Sequence, residues 1–239
     1  MTFPLTNRVA LITGASRGIG ASTAIELARL GAHVVLIGRT QGGLEETDDT
    51  IRAAGGQATL LPMDLRKPES LDPVGPSLLQ RFGRLDIFVH NAGALGRLTP
   101  VGHIVPKDLD ECIAVNFSAA YRLIRTCAPL LTVSDAGRAV FVTSRVAREP
   151  QAFWGAYAAT KAAMETLARV WADETEGTAL RINIFDPGRT ATRMRATAFP
   201  GEDPRTVPPP AVRAAALALL CLPTETRHGT IVRADAPRA

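Results

Sequence analysis

Short apolar runs rich in β-branched residues alternate along the chain with longer segments of helical periodicity. Continuous apolar runs are typical of strands that are buried on both faces, as in a parallel sheet covered by helices. The alternation therefore predicts an α/β protein with a doubly wound parallel sheet and helices on both faces. The predicted strands lie near Arg8–Thr13, His33–Gly38, Gln57–Met63, Asp86–His90, Arg138–Ser144, Leu180–Asp186 and Thr230–Val232.

The segments between these runs predict helices. The first extends from about Gly18 to Leu30, with polar and apolar residues on opposite faces, and Gly31 follows as a stop signal. The Pro-rich stretch Pro200–Pro210 predicts a loop, followed by a helix at Ala211–Leu222. Too little chain follows this loop to form a second core, so we expect one domain.

Composition agrees with a globular protein, since 46% of the residues are hydrophobic and 21% are charged. The net charge of +4 is small and the basic residues are scattered, so nucleic-acid binding is not expected. The longest apolar run, Ala214–Leu222, is too short to cross a bilayer, which needs about 20 residues. No membrane association is therefore expected.

Targeting and metal-binding signals are also not apparent. Met1–Asn7 has no charged region followed by an apolar stretch, so we expect no signal peptide and a cytoplasmic location. The three cysteines are far apart, which favours reduced thiols over disulfides or a zinc site. The four histidines show no i,i+4 pairing, so no metal is expected.

A glycine-rich turn, Thr13–Gly20, joins the first predicted strand to the first helix. Glycines at Gly14, Gly18 and Gly20 permit a tight turn, a close backbone approach to pyrophosphate, and close packing of helix on sheet. The helix N-terminus then offers free N–H groups to phosphate. The turn predicts a dinucleotide-binding site, although its G-x-x-x-G-x-G spacing differs from the common fingerprint.

The end of the second strand favours NADP(H) over NAD(H). An NAD site usually has a carboxylate there for the ribose 2′-OH, whereas this chain has Arg39, with Arg17 in the glycine turn. Guanidinium groups suit a 2′-phosphate. The alternative is that both arginines are solvated surface residues. Asp64, at the end of the third strand, is a candidate for the adenine amino group or for capping the next helix.

Tyr157 and Lys161 lie four residues apart in a segment of good helix formers, and therefore on one helix face. A phenol of pKa about 10 is a poor base at neutral pH. A cation roughly 4 Å away at an effective dielectric near 20 favours the phenolate by about 4 kcal/mol. The pair therefore predicts a tyrosine adapted to acid/base catalysis, with Lys161 lowering its pKa.

Two further polar residues complete a candidate catalytic group. Ser144 closes the fifth predicted strand at its carboxyl end, where ligands bind in open α/β sheets, and a loop can bring its hydroxyl close to Tyr157. Asn116 interrupts an apolar helical stripe of Ile113, Ala120 and Ile124. Its amide either holds water in a proton relay or stabilises packing or a kink, because a buried amide must be hydrogen-bonded.

These residues resemble the short-chain dehydrogenase/reductase family. The resemblance covers essentially the whole chain, with His90 standing where the family often has asparagine. It rests on Thr13–Gly20, Asn91-Ala92-Gly93, Asn116, Ser144, Tyr157, Lys161 and Pro187-Gly188, in the family's order and spacing.

The resemblance implies one Rossmann domain over residues 1–239 with about seven strands, including a substrate loop at about 187–210. It implies Tyr157 as the acid/base, Lys161 lowering its pKa and binding the nicotinamide ribose, and Ser144 polarising a carbonyl. Asn116 would support a proton relay. The predicted cofactor-binding residues are Gly14, Ser16, Arg17, Gly18, Ile19, Gly20, Arg39, Asp64, Leu65, Asn91, Ala92, Gly93, Tyr157, Lys161, Pro187, Gly188, Thr190 and Thr192.

The predicted activity is reversible NADP(H)-dependent hydride transfer between the nicotinamide and a carbonyl or secondary alcohol. The chain is similar to a bacterial subgroup of oxidoreductases without an assigned substrate, and the family implies a homodimer or homotetramer. A second hypothesis is a regulatory module that senses NADP without turnover, although a sensor does not need the full catalytic group.

The substrate is expected to be a small molecule. Phe153 and Trp154 precede Tyr157 and form either an apolar pocket wall or core packing. Five arginines flank the expected pocket and favour an anionic substrate if two or more face it; the alternatives are solvated residues and contacts with cofactor phosphate. The five are Arg145, Arg148, Arg189, Arg193 and Arg195.

Overall fold

A computed structural model describes residues 3–234, which include a single seven-stranded parallel sheet in the order β3-β2-β1-β4-β5-β6-β7. The predicted domain 1–239 also contains residues 1–2 and 235–239, which lie outside the described residues. All seven predicted strands are present, and no end is displaced by more than two residues. The strands are β1 (Val9–Thr13), β2 (His33–Gly38), β3 (Gln57–Pro62), β4 (Ile87–His90), β5 (Arg138–Val142), β6 (Arg181–Asp186) and β7 (Ile231–Arg233).

Helices connect the strands and cover both faces of the sheet, as the alternating pattern predicts. They are α1 (Gly18–Arg29), α2 (Gln41–Ala53), α3 (Val74–Phe82), α4 (Pro106–Cys112), α5 (Ala119–Val133), α6 (Gly155–Glu174), α7 (Arg193–Ala198) and α8 (Pro210–Leu219). A π-helical segment, Ile113–Ser118, joins α4 to α5. None of the helices within residues 3–234 is long and apolar enough to span a membrane.

Alternate residues of each strand enter two separate cores. In β1, Leu11 packs in the core that also contains Met164 of α6, whereas Ile12 packs in the core that contains Leu27 of α1. Every residue of β1 is buried. Burial on both faces explains why the sequence of a strand such as β1 is continuously apolar instead of alternating.

The sheet order creates a crevice between β1 and β4. β1 pairs with β2 on one side and with β4 on the other, so the chain reverses its direction of winding between these two strands. In open α/β sheets the ligand binds at this reversal, beyond the carboxyl ends of the strands. The glycine turn after β1 and the segment after β4 therefore lie side by side.

The region after β6 differs in detail from the prediction. The expected loop Pro200–Pro210 contains a short 3₁₀ turn, Pro204–Thr206. The next helix ends at Leu219 instead of Leu222. Pro223 gives a physical reason why Leu222 is not helical, because the residue before a proline is disfavoured in the helical region.

Candidate active site

The glycine turn packs directly against the segment that follows β4. A Cβ atom on Gly14 would lie 2.9 Å from the Cα of Ala92, and one on Gly20 would lie 2.3 Å from the carbonyl oxygen of Gly14. Gly14 and Gly18 also have positive φ angles, 66° and 60°. Larger side chains at Gly14 or Gly20 therefore do not fit the turn.

Thr13 and Asn91 join the two segments by hydrogen bonds. The Thr13 hydroxyl accepts the backbone N–H groups of Asn91 and Ala92, both at 3.1 Å. The Asn91 side-chain amide donates to the carbonyl oxygens of Thr13 and Gly14, at 3.1 and 3.3 Å. Part of the Asn91-Ala92-Gly93 motif thus acts by holding the glycine turn in place.

His90, which departs from the family pattern, is buried directly beneath this junction. Its Nδ1 lies 3.3 Å from the Thr13 hydroxyl oxygen. Burial, followed by the nearby charge of Lys161, lowers the pKa of His90 to about 3. The imidazole is therefore neutral at physiological pH, and the departure affects the packing of the turn.

One cavity of about 600 Å³ extends from the glycine turn to Tyr157. It is lined by all but two of the predicted site residues, Gly20 and Asn116. Gly20 is required for close packing, as described above. The lining residues among those predicted are Gly14, Ser16, Arg17, Gly18, Ile19, Arg39, Asp64, Leu65, Asn91, Ala92, Gly93, Ser144, Tyr157, Lys161, Pro187, Gly188, Thr190 and Thr192.

One end of the cavity is basic. Arg17 and Arg39 are exposed there, and neither has a carboxylate partner within residues 3–234. Arg66, which sequence reasoning missed, binds both carboxylate oxygens of Asp64 and holds the pKa of that carboxyl below its usual value. The carboxylate of Asp64 also accepts the backbone N–H of Arg66 at 3.1 Å, in a local turn.

Helix α6 places Tyr157 and Lys161 on one buried face at the other end of the cavity. Tyr157 is 7% exposed and Lys161 is 2% exposed. The Lys161 ammonium donates to the carbonyl oxygen of Val142 at 2.8 Å and lies 5.9 Å from the centre of the tyrosine ring. The i,i+4 spacing thus brings the two side chains together, as predicted.

The electrostatics of the phenol differ from the sequence-based expectation. Burial raises the pKa of Tyr157, the carboxylate of Asp186 raises it further, and the Ser144 hydroxyl opposes them. Burial thus has the largest effect on this pKa, and the predicted lowering by Lys161 stays a prediction. Tyr157 is a neutral phenol that holds a proton at physiological pH.

Lys161 is shifted in the opposite direction by the same cause. Burial lowers its pKa to about 8, and the carboxylate of Glu165, one helical turn further along α6, opposes this. An ammonium with a pKa near 8 is still mostly protonated at neutral pH. The cavity therefore contains a buried cation beside a protonated phenol.

Ser144 lies two residues beyond the end of β5. Its backbone is extended, with φ −152° and ψ 151°, and it begins the 3₁₀ turn Arg145–Ala147. Its hydroxyl influences the pKa of Tyr157, as noted above, so the loop between them brings the two side chains together. Both residues line the cavity.

Asn116 is fully buried and does not reach the cavity surface. Its amide nitrogen donates to the Ala94 carbonyl oxygen and the Thr160 hydroxyl, both at 2.9 Å. Its amide oxygen accepts the Ala94 N–H at 2.7 Å. These contacts link the segment after β4 to α6, so they agree with a role of Asn116 in packing. Its role in a proton relay stays a prediction.

The π-helical segment around Asn116 was not predicted. Ile113 was expected on the same buried stripe as Ala120, but it is 40% exposed whereas Ala120 is fully buried. The wider turns of a π-helix rotate the residues before it relative to those after it. Such segments occur frequently at functional sites.

The wall of the cavity near Tyr157 is apolar. Leu95, Trp154 and Met194 pack around Tyr157, and the Trp154 and Tyr157 rings are 6.0 Å apart. Phe153, the other predicted wall residue, is 55% exposed and does not line the cavity. Leu95 and Met194 were missed by sequence reasoning because nothing in their local sequence distinguishes them from core residues.

Most of the loop arginines are neutralised. Only Arg193 and Arg195 of the five line the cavity, and Arg193 is the one without a carboxylate partner in the described part of the chain. The ion pairs join Arg145 to Glu149, Arg148 to Glu165 and Asp186, and Arg189 and Arg195 to Glu202. The arginine count in the sequence therefore overstates the positive charge of the pocket.

Comparisons with known proteins agree with this fold. The short chain dehydrogenase family matches residues 8–203. The oxidoreductase YciK of Escherichia coli is 40% identical over 210 residues, which cover 87% of this chain and 83% of YciK. The chain belongs to the short-chain dehydrogenase/reductase family and is an oxidoreductase acting on CH–OH or C=O groups with NAD(P).

Solved structures show the same architecture. A short chain dehydrogenase from Shigella flexneri in complex with NADP is 36% identical, with a TM-score of 0.94 over 99% of this chain and all of that chain. One from Escherichia coli in complex with NADPH is 37% identical, with a TM-score of 0.93 over the same shares. The predicted Rossmann fold is therefore confirmed.

Replacing Gly20 with alanine tests the packing of the glycine turn. We expect Gly20→Ala to lower the free energy of unfolding by about 1–3 kcal/mol, because its Cβ would collide with the Gly14 carbonyl oxygen. The measurement is urea unfolding. Gly42→Ala in α2 is the control, since nothing lies within 4 Å of that Cβ, and it should be neutral or slightly stabilising. Equal stability of both variants would contradict this account of the turn.

Proposed function

We propose that the protein is an NADP(H)-dependent oxidoreductase that transfers hydride reversibly between the nicotinamide and a carbonyl or secondary alcohol, with Tyr157 as the acid/base. The observation that carries the proposal is the continuous cavity between two unpaired guanidiniums at one end and Tyr157, Lys161 and Ser144 at the other. Its volume of about 600 Å³ is in the range of ligand pockets, and its lining would place the phosphates of a dinucleotide at the glycine turn.

The residues of the cavity fit NADP(H). The N-terminus of α1 faces the cavity through Gly18 and Ile19, where backbone N–H groups and the helix dipole favour phosphate. Arg17 and Arg39 have the fork of donors that suits a 2′-phosphate, and neither forms an ion pair with a carboxylate among residues 3–234, although Asp64 is close enough to Arg39 to interact with its charge. The two structural neighbours that contain NADP or NADPH support the same choice.

When bound, the nicotinamide supplies or accepts the hydride. The chain's own residues handle the proton and the developing charge. In reduction, Tyr157 donates the proton that its raised pKa keeps on the phenol, and the Ser144 hydroxyl stabilises the substrate oxygen. In oxidation, Tyr157 first has to lose its proton to solvent, and the phenolate then accepts the proton of the alcohol hydroxyl. Lys161 provides a nearby positive charge and a donor for a ribose hydroxyl.

Asn116 acts as a positioning residue in this proposal. Its three hydrogen bonds fix Ala94, beside the cavity, to Thr160, which precedes Lys161 in α6. Support for a proton relay comes from the π-helical geometry around Asn116, since such segments are frequent at functional sites.

We further propose that the substrate is a neutral carbonyl compound with an apolar body. The wall beside Tyr157 consists of Leu95, Trp154 and Met194. Arg195 is held by Glu202 through two nitrogens, at 2.6 and 2.8 Å, so its charge is offset by a carboxylate that it shares with Arg189. Arg193 alone supports the anionic alternative.

Replacing Tyr157 with phenylalanine tests the proposed chemistry. We expect Tyr157→Phe to lower kcat by a factor of at least about 10²–10⁴, because the proton donor is lost. NADPH binding, followed by fluorescence, should change little. Tyr121→Phe, an exposed position on α5, is the matched control and should keep full activity. Wild-type rates in Tyr157→Phe would exclude this role. If the protein were instead a regulatory NADP sensor, the wild type would show no carbonyl-dependent NADPH oxidation.

Removing either free arginine tests the cofactor choice. We expect Arg17→Ala and Arg39→Ala each to raise the KM for NADPH about tenfold and leave that for NADH unchanged, since a hydrogen bond to a charged group contributes about 1.5–3 kcal/mol. Steady-state kinetics with both cofactors provides the measurement. Arg52→Ala, exposed on α2, is the control. Equal kcat/KM for NADH and NADPH in the wild type would refute the preference.

Substrate charge is tested with matched pairs of neutral ketones and keto acids of similar size. We expect a higher kcat/KM for the neutral member, because the wall is apolar and most loop arginines are neutralised. Arg193→Ala should leave the neutral substrate unaffected. A preference for keto acids that disappears in Arg193→Ala would show that the substrate is anionic.

A further inference from the structure

A buried ionic cluster lies beside the proposed acid/base. Arg148 donates from its two terminal nitrogens to the carboxylates of Glu165 and Asp186. The Thr143 hydroxyl donates to the same Glu165 oxygen at 2.5 Å, and the Gly188 N–H donates to Asp186 at 3.1 Å. The side chains of Arg148, Glu165 and Asp186 are 22%, 8% and 5% exposed, and we call these three residues the Arg148 cluster.

Each member of the Arg148 cluster is adjacent to a segment of the site. Arg148 is four residues beyond Ser144, Glu165 is one helical turn beyond Lys161, and Asp186 directly precedes Pro187. The cluster therefore joins the serine loop, helix α6 and the loop after β6. These three segments must keep a fixed geometry for the proposed chemistry.

The Arg148 cluster contains more negative than positive charges. One guanidinium faces two carboxylates, and the next cation is the Lys161 ammonium. Buried charges are costly unless they are paired, so the four groups form one electrically balanced set only while Lys161 is protonated. Removal of Arg148 would leave two carboxylates beside Tyr157 and Lys161 with one cation between them.

The groups that face Tyr157 come from several elements. Asp186 at the end of β6 raises the pKa of Tyr157, Cys112 of α4 adds to this effect, and Ser144 after β5 opposes it. Lys161 lies on the same helix face. Glu111 of α4 lines the same cavity.

The groups that face Lys161 are fewer. Glu165 on α6 raises the pKa of Lys161 against burial, and neutral His90 lies on the β4 side. Asp186 and Glu165 are thus the carboxylates through which Arg148 acts on the pair of Tyr157 and Lys161.

We propose that Arg148 is a positioning residue that sets the acidity of Tyr157 by neutralising Glu165 and Asp186 while fixing the serine loop to α6 and β6. The importance of Arg148 for catalysis rests on the proposed function, in which Tyr157 is the acid/base. The effect of Arg148 on the pKa of Tyr157 can be measured on the protein without cofactor or substrate.

The chain offers a direct measurement because it has two tyrosines, Tyr121 and Tyr157. In a Tyr121→Phe background, tyrosinate absorbance or the ¹³C signal of labelled tyrosine reports Tyr157 alone. We expect Arg148→Gln to raise the pKa of Tyr157 by about one pH unit and Asp186→Asn to lower it by about as much, since nearby charges typically shift a pKa by about 1–3 units. In the double variant, which carries both Arg148→Gln and Asp186→Asn, the pKa of Tyr157 should be close to its value in the Tyr121→Phe parent.

Controls separate this effect from a loss of structure. Arg145→Gln removes an exposed arginine from the same loop and should not change the titration. Arg148→Lys keeps the charge and should restore most of the parent value. If Arg148→Gln does not fold, Asp186→Asn and Arg148→Lys still test the expected direction of the change in the pKa of Tyr157. Shifts in the same direction for Arg148→Gln and Asp186→Asn, or no shift in a folded Asp186→Asn, would overturn the proposal.

A kinetic measurement distinguishes failure of this inference from failure of the proposed function. The acidic limb of kcat/KM for alcohol oxidation should move with the titration of Tyr157 in each variant. If the titration shifts while the limb stays in place, the Arg148 cluster acts as proposed but Tyr157 is not the acid/base. If neither moves, Arg148 has only a structural role.

Discussion

The close approach between the glycine turn after β1 and the segment after β4 is the constraint on which the site depends. Gly14 and Gly20 permit it sterically, and the Thr13 hydroxyl and Asn91 amide hold it by hydrogen bonds. The approach occurs where the strand order reverses, so it sets the position of the crevice and points the N-terminus of α1 into it. The basic end and the catalytic end of the cavity are both positioned relative to this junction.

Burial governs the chemistry at the other end of the cavity. Removing Tyr157 from water raises its pKa and removing Lys161 from water lowers its pKa, so the two pKa values, which are similar in water, move apart. A protein can hold such a pair only if nearby charges are balanced. Glu165 and Asp186 supply the negative charge, and Arg148 offsets it, which connects the stability of this region to the acidity of the phenol.

The strands and the chemically distinctive residues could be predicted because their signals are local. Both faces of each strand are buried, so β1 and β5 appear as continuous apolar runs, and the i,i+4 rule places Tyr157 beside Lys161. Other features depend on contacts between distant segments. The pairing of Arg148 with residues 17 and 38 positions away has no signature in its own neighbourhood.

The α/β class, the order of the elements, the glycine turn and the acid/base candidates follow from the amino-acid sequence, because spacing and residue type are properties of short stretches of chain. Which charges remain uncompensated depends on the three-dimensional fold. Arg17, Arg39 and Arg193 look no different in sequence from Arg148 and Arg195, yet the first three lack carboxylate partners within residues 3–234 and the last two are paired. Charge compensation requires carboxylates from other elements to come within a few ångströms, and that is fixed by the fold.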